Sequence, residues 1–179
     1  MKSLPASARP GASEHAPYFG RYIALVPDGD VQEFLDSQMS QLLTLLSGLS
    51  DRDALTRHPP YTWTIKQVLG HITDCERVFG HRVLWIARNP DSRPLSSFDE
   101  TAFMKFANFD RRPLPGLMQE FELVRRSHLT LFQNLDSDSW LRQGIVNDHA
   151  SSARSWIYVT AGHAQHHLDI LRKRLLPTA

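Results

Sequence analysis

Residues 61–71, YTWTIKQVLGH, decide how the chain folds, because they place a helix start directly after two helix breakers. Pro59 and Pro60 disfavour helix before it. Thr64 is a natural N-cap, Gln67 three residues on is its reciprocal partner, and Trp63 can staple onto Val68 in the first turn. Beyond the cap, Ile65, Val68, Leu69, Ile72, Phe79, Val83 and Ile86 recur at helical spacing, which predicts a helix over 65–87. Working outward, Asp30 with Glu33 opens another helix over 31–49, with the stripe Val31, Leu35, Met39, Leu42, Leu46 and Leu49. Leu114, Leu117, Phe121, Val124, Leu131 and Leu135 mark a third over 114–135. A fourth runs over 152–175 and stops before Pro177. The connection 88–113 carries Pro90, Pro94 and Pro113, and within it SSFDETAFMKFA (96–107) forms a short helix capped by Ser97 or Asp99. No strand pattern is evident. The expected fold is all-α, a four-helix bundle.

The totals agree with one domain. The 179 residues can bury a core without metal or disulfide staples, and 20 basic against 19 acidic residues make no electrostatic case for nucleic acid. No run approaches the ~18 apolar residues of a membrane span. Residues 1–16, rich in Ala, Ser, Pro and Gly, read as a flexible tail before a single domain over 17–179. One cysteine, Cys75, excludes an internal disulfide and fits a reducing cytoplasm.

TAGHAQHH (160–167) puts three histidines within five positions of the fourth helix. His163 and His167 lie one turn apart inside the apolar sector with Trp156, Val159 and Ile170, and His166 sits at its polar edge. Nine histidines in 179 positions would give about 0.4 of an i,i+4 pair at random, so spacing alone assigns nothing. Burial sharpens the reading. Two stacked imidazoles in an apolar strip need partners for their ring nitrogens, which either core hydrogen bonds or one divalent ion can provide. Among possible third ligands, His81 looks solvated, His149 lies in a loop, and His71 and His128 can face inward. The connection of about 26 residues can cross the bundle, giving an up-down-down-up order with the second and fourth helices antiparallel. His71 then stands about 9 Å from the start of its helix and His167 about 12 Å from the end of its own, at matching heights. His71 is the best third ligand.

WTIKQVLGHITDCERVFGHRVLWIARNPDSRPLSSFDE (63–100), followed much later by YVTAGHAQHHLDILRKR (158–174), resembles the DinB/YfiT-like superfamily of metalloenzymes. The resemblance begins near YIALVPDGDVQEFL (22–35) and covers nearly the whole chain. It implies a DinB-like four-helix bundle whose metal is held by His71, His163 and His167, a small-molecule substrate, and a homodimer. It also implies a broad set of activities, including thiol-dependent S-transferases, isomerases and metal-dependent hydrolases.

An ion held by three neutral imidazoles keeps open positions, as catalytic sites do. Zinc or nickel suits nitrogen donors, with iron or manganese as alternatives. Such an ion lowers the pKa of bound water or holds a thiol as thiolate. HAQHH lacks the glutamate of the zinc-protease pattern. Asp74, one turn from His71, is a candidate second-shell partner or proton relay, against a solvated acid beside Arg77. Asp99 and Glu100 either line the mouth or cap the short helix. Cys75 is a small core residue or a ligand, and Arg154 an anion guide or a surface residue. With no base evident beside the histidines, the expected function is a divalent-metal-dependent S-transferase using a low-molecular-weight thiol. The alternatives are a hydrolase that activates water and a non-catalytic, stress-associated metal-binding bundle.

Overall fold

The computed structural model describes residues 8–89 and 93–175, so Pro90 and Pro177 fall outside it. Its helices are α1 (Gly20–Ile23), α2 (Val31–Leu46), α3 (Ile65–Arg88), α4 (Glu100–Phe106), α5 (Leu114–Gln133), α6 (Ser137–Leu141) and α7 (Ala153–Leu175), with strands β1 (Gln143–Val146) and β2 (His149–Ser152) between α6 and α7. Helices α2, α3, α5 and α7 are the four expected from the sequence. Their caps account for where they begin. Asp30 accepts from the N–H groups of Gln32 and Glu33, and Thr64 and Gln67 bond reciprocally at 3.1 and 2.9 Å. Asp99, not Ser97, caps α4. α2 ends at Leu46, three residues short of the expected end, where Ser47 and Gly48 lead into a turn.

Helix α3 packs between α5 and α7, and α2 closes the bundle against the same two helices. Directions follow from the pairings. Trp63 lies near Arg174 and Phe79 near Trp156, so α3 and α7 are antiparallel. Arg77 meets Glu120 and Gly80 abuts His128, so α3 and α5 run parallel. This is the up-down-down-up order expected from the long crossover. The crossover is pinned to the hairpin by hydrogen bonds from Leu95 N–H to Ile145 O and from Asn147 N–H to Leu95 O, at 2.9 and 2.8 Å. The hairpin corrects the expectation of no strands. Its turn uses Asn147 and Asp148 at φ 50° and 64°, the left-handed region that primed hairpin turns require. The described residues contain no helix long and apolar enough to cross a membrane.

The core has two apolar clusters, one around Leu35, Phe79, Phe132 and Trp156, the other around Leu46, Leu69, Phe121 and Leu168. Through it runs a buried polar network that joins all four bundle helices. Arg125 on α5 is fully buried and bonds both carboxylate oxygens of Glu76 on α3; its Nη1 donates to Leu35 O and Gln38 Oε1 on α2 at 2.6 and 3.2 Å. Gln38 in turn donates to Ala161 O on α7 at 3.0 Å. Burial alone would raise the Glu76 carboxyl, but Arg125 and His128 hold it below the ordinary carboxylate range.

Of the tail expected over 1–16, residues 8–16 lie against the bundle, while residues 1–7 lie outside the described residues. Arg9 donates to Ile23 O and Val26 O, both at 2.6 Å. Glu14 takes two bonds of 2.6 Å from Arg154 on α7, so Arg154 is an anchor for this segment and neither an anion guide nor a bare surface residue. Burial pushes the Glu14 carboxyl up, but the bonds from Arg154 and Gly11 outweigh it and hold it down at about 2, from an ordinary 4.5. A depressed carboxylate stabilises the fold fully above the ordinary value and loses that contribution as pH falls toward 2. Wild type should therefore melt higher than Glu14→Gln at pH 7, with the gap closing between about pH 4.5 and 2. Thermal melts of both proteins across that range check it.

Candidate metal centre

Helices α3 and α7 present their histidines to each other. His71 and His163 are 5 % and 4 % exposed, and their Nε2 atoms are 3.1 Å apart. With the half-buried His167 they form a triangle whose ring centroids are 5.0, 4.8 and 4.6 Å apart. Local packing fixes the rings. Trp63 tilts against His71 at 4.9 Å, while Tyr22 and Phe79 meet His163 edge-on at 5.4 and 5.5 Å. Gly162 matters here: a Cβ at that position would stand 1.9 Å from Tyr22 O, so only glycine lets α1 lie against α7 and bring Tyr22 to His163.

Burial, then the neighbouring charge of His166, lowers His71 to about 4. Burial, then the neighbouring imidazoles, holds His163 and His167 well below the usual histidine value. At neutral pH all three rings are uncharged and carry a lone pair, the state a metal ion requires. Two nitrogens bound tetrahedrally at 2.0–2.1 Å stand about 3.3 Å apart, close to the His71–His163 spacing. The His71 and His163 nitrogens are spaced as two ligands of one divalent cation.

Cys75 lies closer to this group than a filler of the core needs to be. Its Sγ is 3.7 Å from both ring nitrogens of His71, and donor atoms of His71, Cys75 and His163 all lie within 4.8 Å of one another. Burial pushes its thiol well above the ordinary value, so the sulfur is a protonated, buried group in the absence of a cation. Asp74 is half-buried: its carboxylate pairs with Arg77 at 3.3 Å, Arg77 pairs with Glu120, and Asp74 borders a small pocket together with His71 and Glu100. Burial raises the Asp74 carboxyl against the pull of Arg77.

Glu100 is the group that sequence reasoning left undecided. At the first position of α4, its Oε2 is 4.0 Å from His71 Nε2, and Asp99 beside it supplies the cap. The other histidines considered in the sequence lie elsewhere. His128 stacks on Phe132, with Nδ1 3.7 Å from Glu76; His81 and His149 are exposed; His166 lies on the surface against Tyr22.

A cleft of about 490 Å³ opens onto His163 and Cys75, walled by Tyr18, Tyr22, Phe79, Phe98, Arg82 and Glu100. On the far side of the triangle, a pocket of about 280 Å³ borders His167 between Trp63 and Arg174. Imidazoles from two antiparallel helices of a four-helix bundle thus meet beside an open cleft, with donor atoms placed where they could hold a metal ion. The chain belongs to the DinB superfamily, whose family model matches residues 35–171. Among solved structures it is similar to YfiT from Bacillus subtilis, described as a probable metal-dependent hydrolase with an unusual four-helix bundle topology; identity is 15 %, 93 % of each chain is covered and the TM-score is 0.70. No protein of curated function matches the chain in sequence.

Proposed function

We propose that this chain is a divalent-metal-dependent enzyme whose ion is held by His71, His163 and His167, with zinc or nickel best suited to the nitrogens, and that its reaction is hydrolysis of a small molecule bound in the adjoining cleft. The observation that carries the reading is the convergence of three uncharged imidazoles, of which His163 opens onto the cleft. The bound ion supplies Lewis acidity toward a nucleophile and a substrate oxygen.

The chain's own groups do the rest. The imidazoles, locked by Trp63, Tyr22 and Phe79, keep their lone pairs in one fixed orientation. The Glu100 carboxylate stands at the mouth beside His71, where it can take a proton from the attacking nucleophile. Tyr22 stays protonated, pushed up to about 12 by burial and by Tyr18, and can donate to a substrate oxygen from the cleft wall. Phe79 and Phe98 keep that wall apolar and limit water.

The preference for thiol transfer rested on the lack of a base, and Glu100 supplies one, which moves the balance toward water. Hydrolysis is also what the similarity to YfiT favours. A thiol-dependent S-transferase is the second reading, supported by a cleft of about 490 Å³, roomy enough for a thiol and an electrophile together. The metal-loaded protein is expected to turn over ester, amide or phosphate substrates without thiol, and Glu100→Gln to lose about 10²–10⁴-fold in rate while keeping its metal. Turnover that appears only when a low-molecular-weight thiol is added would select the S-transferase.

A further inference from the structure

Arg82 is out of place for a structural arginine. It lies on α3, about three turns beyond His71, and is 4 % exposed. Among the described residues no carboxylate lies within ion-pair distance of it, and its one hydrogen bond runs from Nη2 to Ser96 O at 3.1 Å. Arg125, buried more deeply still, has Glu76 as its counter-ion. A buried guanidinium without one is costly, and most of its five donors are left over. Its Cζ lies 4.3 Å from the Trp156 ring centroid and 5.6 and 5.9 Å from those of Phe98 and Phe79. Trp156 itself carries a buried Nε1–H without an acceptor. Arg82 also lines the same cleft as His163, with Phe79 and Phe98 beside it. The buried part of that wall offers donors and aromatic faces, while the cleft's acceptors, Ser97, Asp99, Glu100, Thr101 and Asn147, belong to exposed residues, where the two carboxylates repel an anion that does not reach the guanidinium.

We propose that Arg82 is the substrate-recognition residue of the cleft, and that the substrate is an organic carboxylate with a flat apolar body, its carboxylate on the Arg82 guanidinium and its body between Phe79, Phe98 and Tyr22. The planar fork of arginine suits a carboxylate, and the ring faces suit an aromatic or conjugated body. The assignment deepens the enzymatic reading above and rests on it for the word substrate, but the binding preference does not depend on the metal.

The probe is benzoate against its uncharged isostere benzamide, measured by calorimetry or ligand-observed NMR on the full-length chain, both metal-loaded and chelated. Wild type should prefer benzoate by at least tenfold in both states. Arg82→Gln should lose that preference while keeping wild-type metal content and far-ultraviolet circular dichroism, and Arg82→Lys should retain part of it. Equal affinity for the two probes, no binding of either, or a preference that survives Arg82→Gln would overturn the proposal, as would inorganic phosphate binding more tightly than benzoate. Should Arg82→Gln fail to fold, the wild-type comparison together with Arg82→Lys decides. Absence of bound metal with the benzoate preference intact would remove the enzymatic reading and leave Arg82 as the anion site.

Discussion

Arg125→Ala should destabilise the fold by about 3–5 kcal/mol, since removing one partner of a buried ion pair leaves the other charged and dry. Arg125 and Glu76 are 0 % and 1 % exposed, so water cannot replace the lost guanidinium. The substitution also strips a donor from Leu35 O and Gln38 Oε1, and with it the one side chain that ties α2, α3 and α5 together at this level. Replacing both charged residues by apolar ones of similar volume, Arg125→Met with Glu76→Leu, should cost far less, because the penalty comes from an unpaired charge rather than from loss of attraction. Urea denaturation of the single and double variants measures both. A loss below about 1 kcal/mol for Arg125→Ala would mean that Glu76 is hydrated or neutral, against the geometry.

His163→Ala should leave a folded bundle that no longer responds to metal. A ligand that binds only the native state stabilises it by about 2.7 kcal/mol at a hundredfold excess over its dissociation constant, a shift readily seen in a thermal melt. Wild type should show that shift with zinc or nickel and His163→Ala should not, because two remaining imidazoles do not hold an ion as three do. The sign of the pH dependence follows from burial. His71 sits at about 4 and His163 lower than usual, so protons displace the metal only as pH falls toward 4, and the shift should persist at pH 6. The metal-free protein loses stability over the same window, from about 6.5 down to about 4, because the unfolded chain takes up protons that the buried rings refuse. Unfolding of His163→Ala would instead mark the ion as structural.

The four bundle helices were legible because their signals are local. Thr64 with Gln67 and Asp30 before Val31 lie within one turn of the groups they cap. The meeting of His71 with His163 and His167 was legible too, since the fixed rise of a helix turns sequence position into height once the crossover sets direction. What escaped depends on the path of the chain between helices. Glu100 reaches His71 only because the crossover bonds to the hairpin through Leu95, and that hairpin has strands of four residues, too short for an alternating pattern to show. Arg125 and Glu76 lie 49 positions apart with no local signal that joins them, and Arg154 finds Glu14 across nearly the whole length of the chain. Arg82 sits among apolar neighbours at a position where helical periodicity alone offers no reason to single it out.

The central claim is that imidazoles from α3 and α7 share one cation. Elemental analysis of freshly purified protein, wild type beside His71→Ala, tests it most directly. About one divalent transition-metal ion per chain in wild type and almost none in His71→Ala is the predicted result. Equal metal in the two proteins, or none in wild type even after incubation with zinc or nickel, would contradict it.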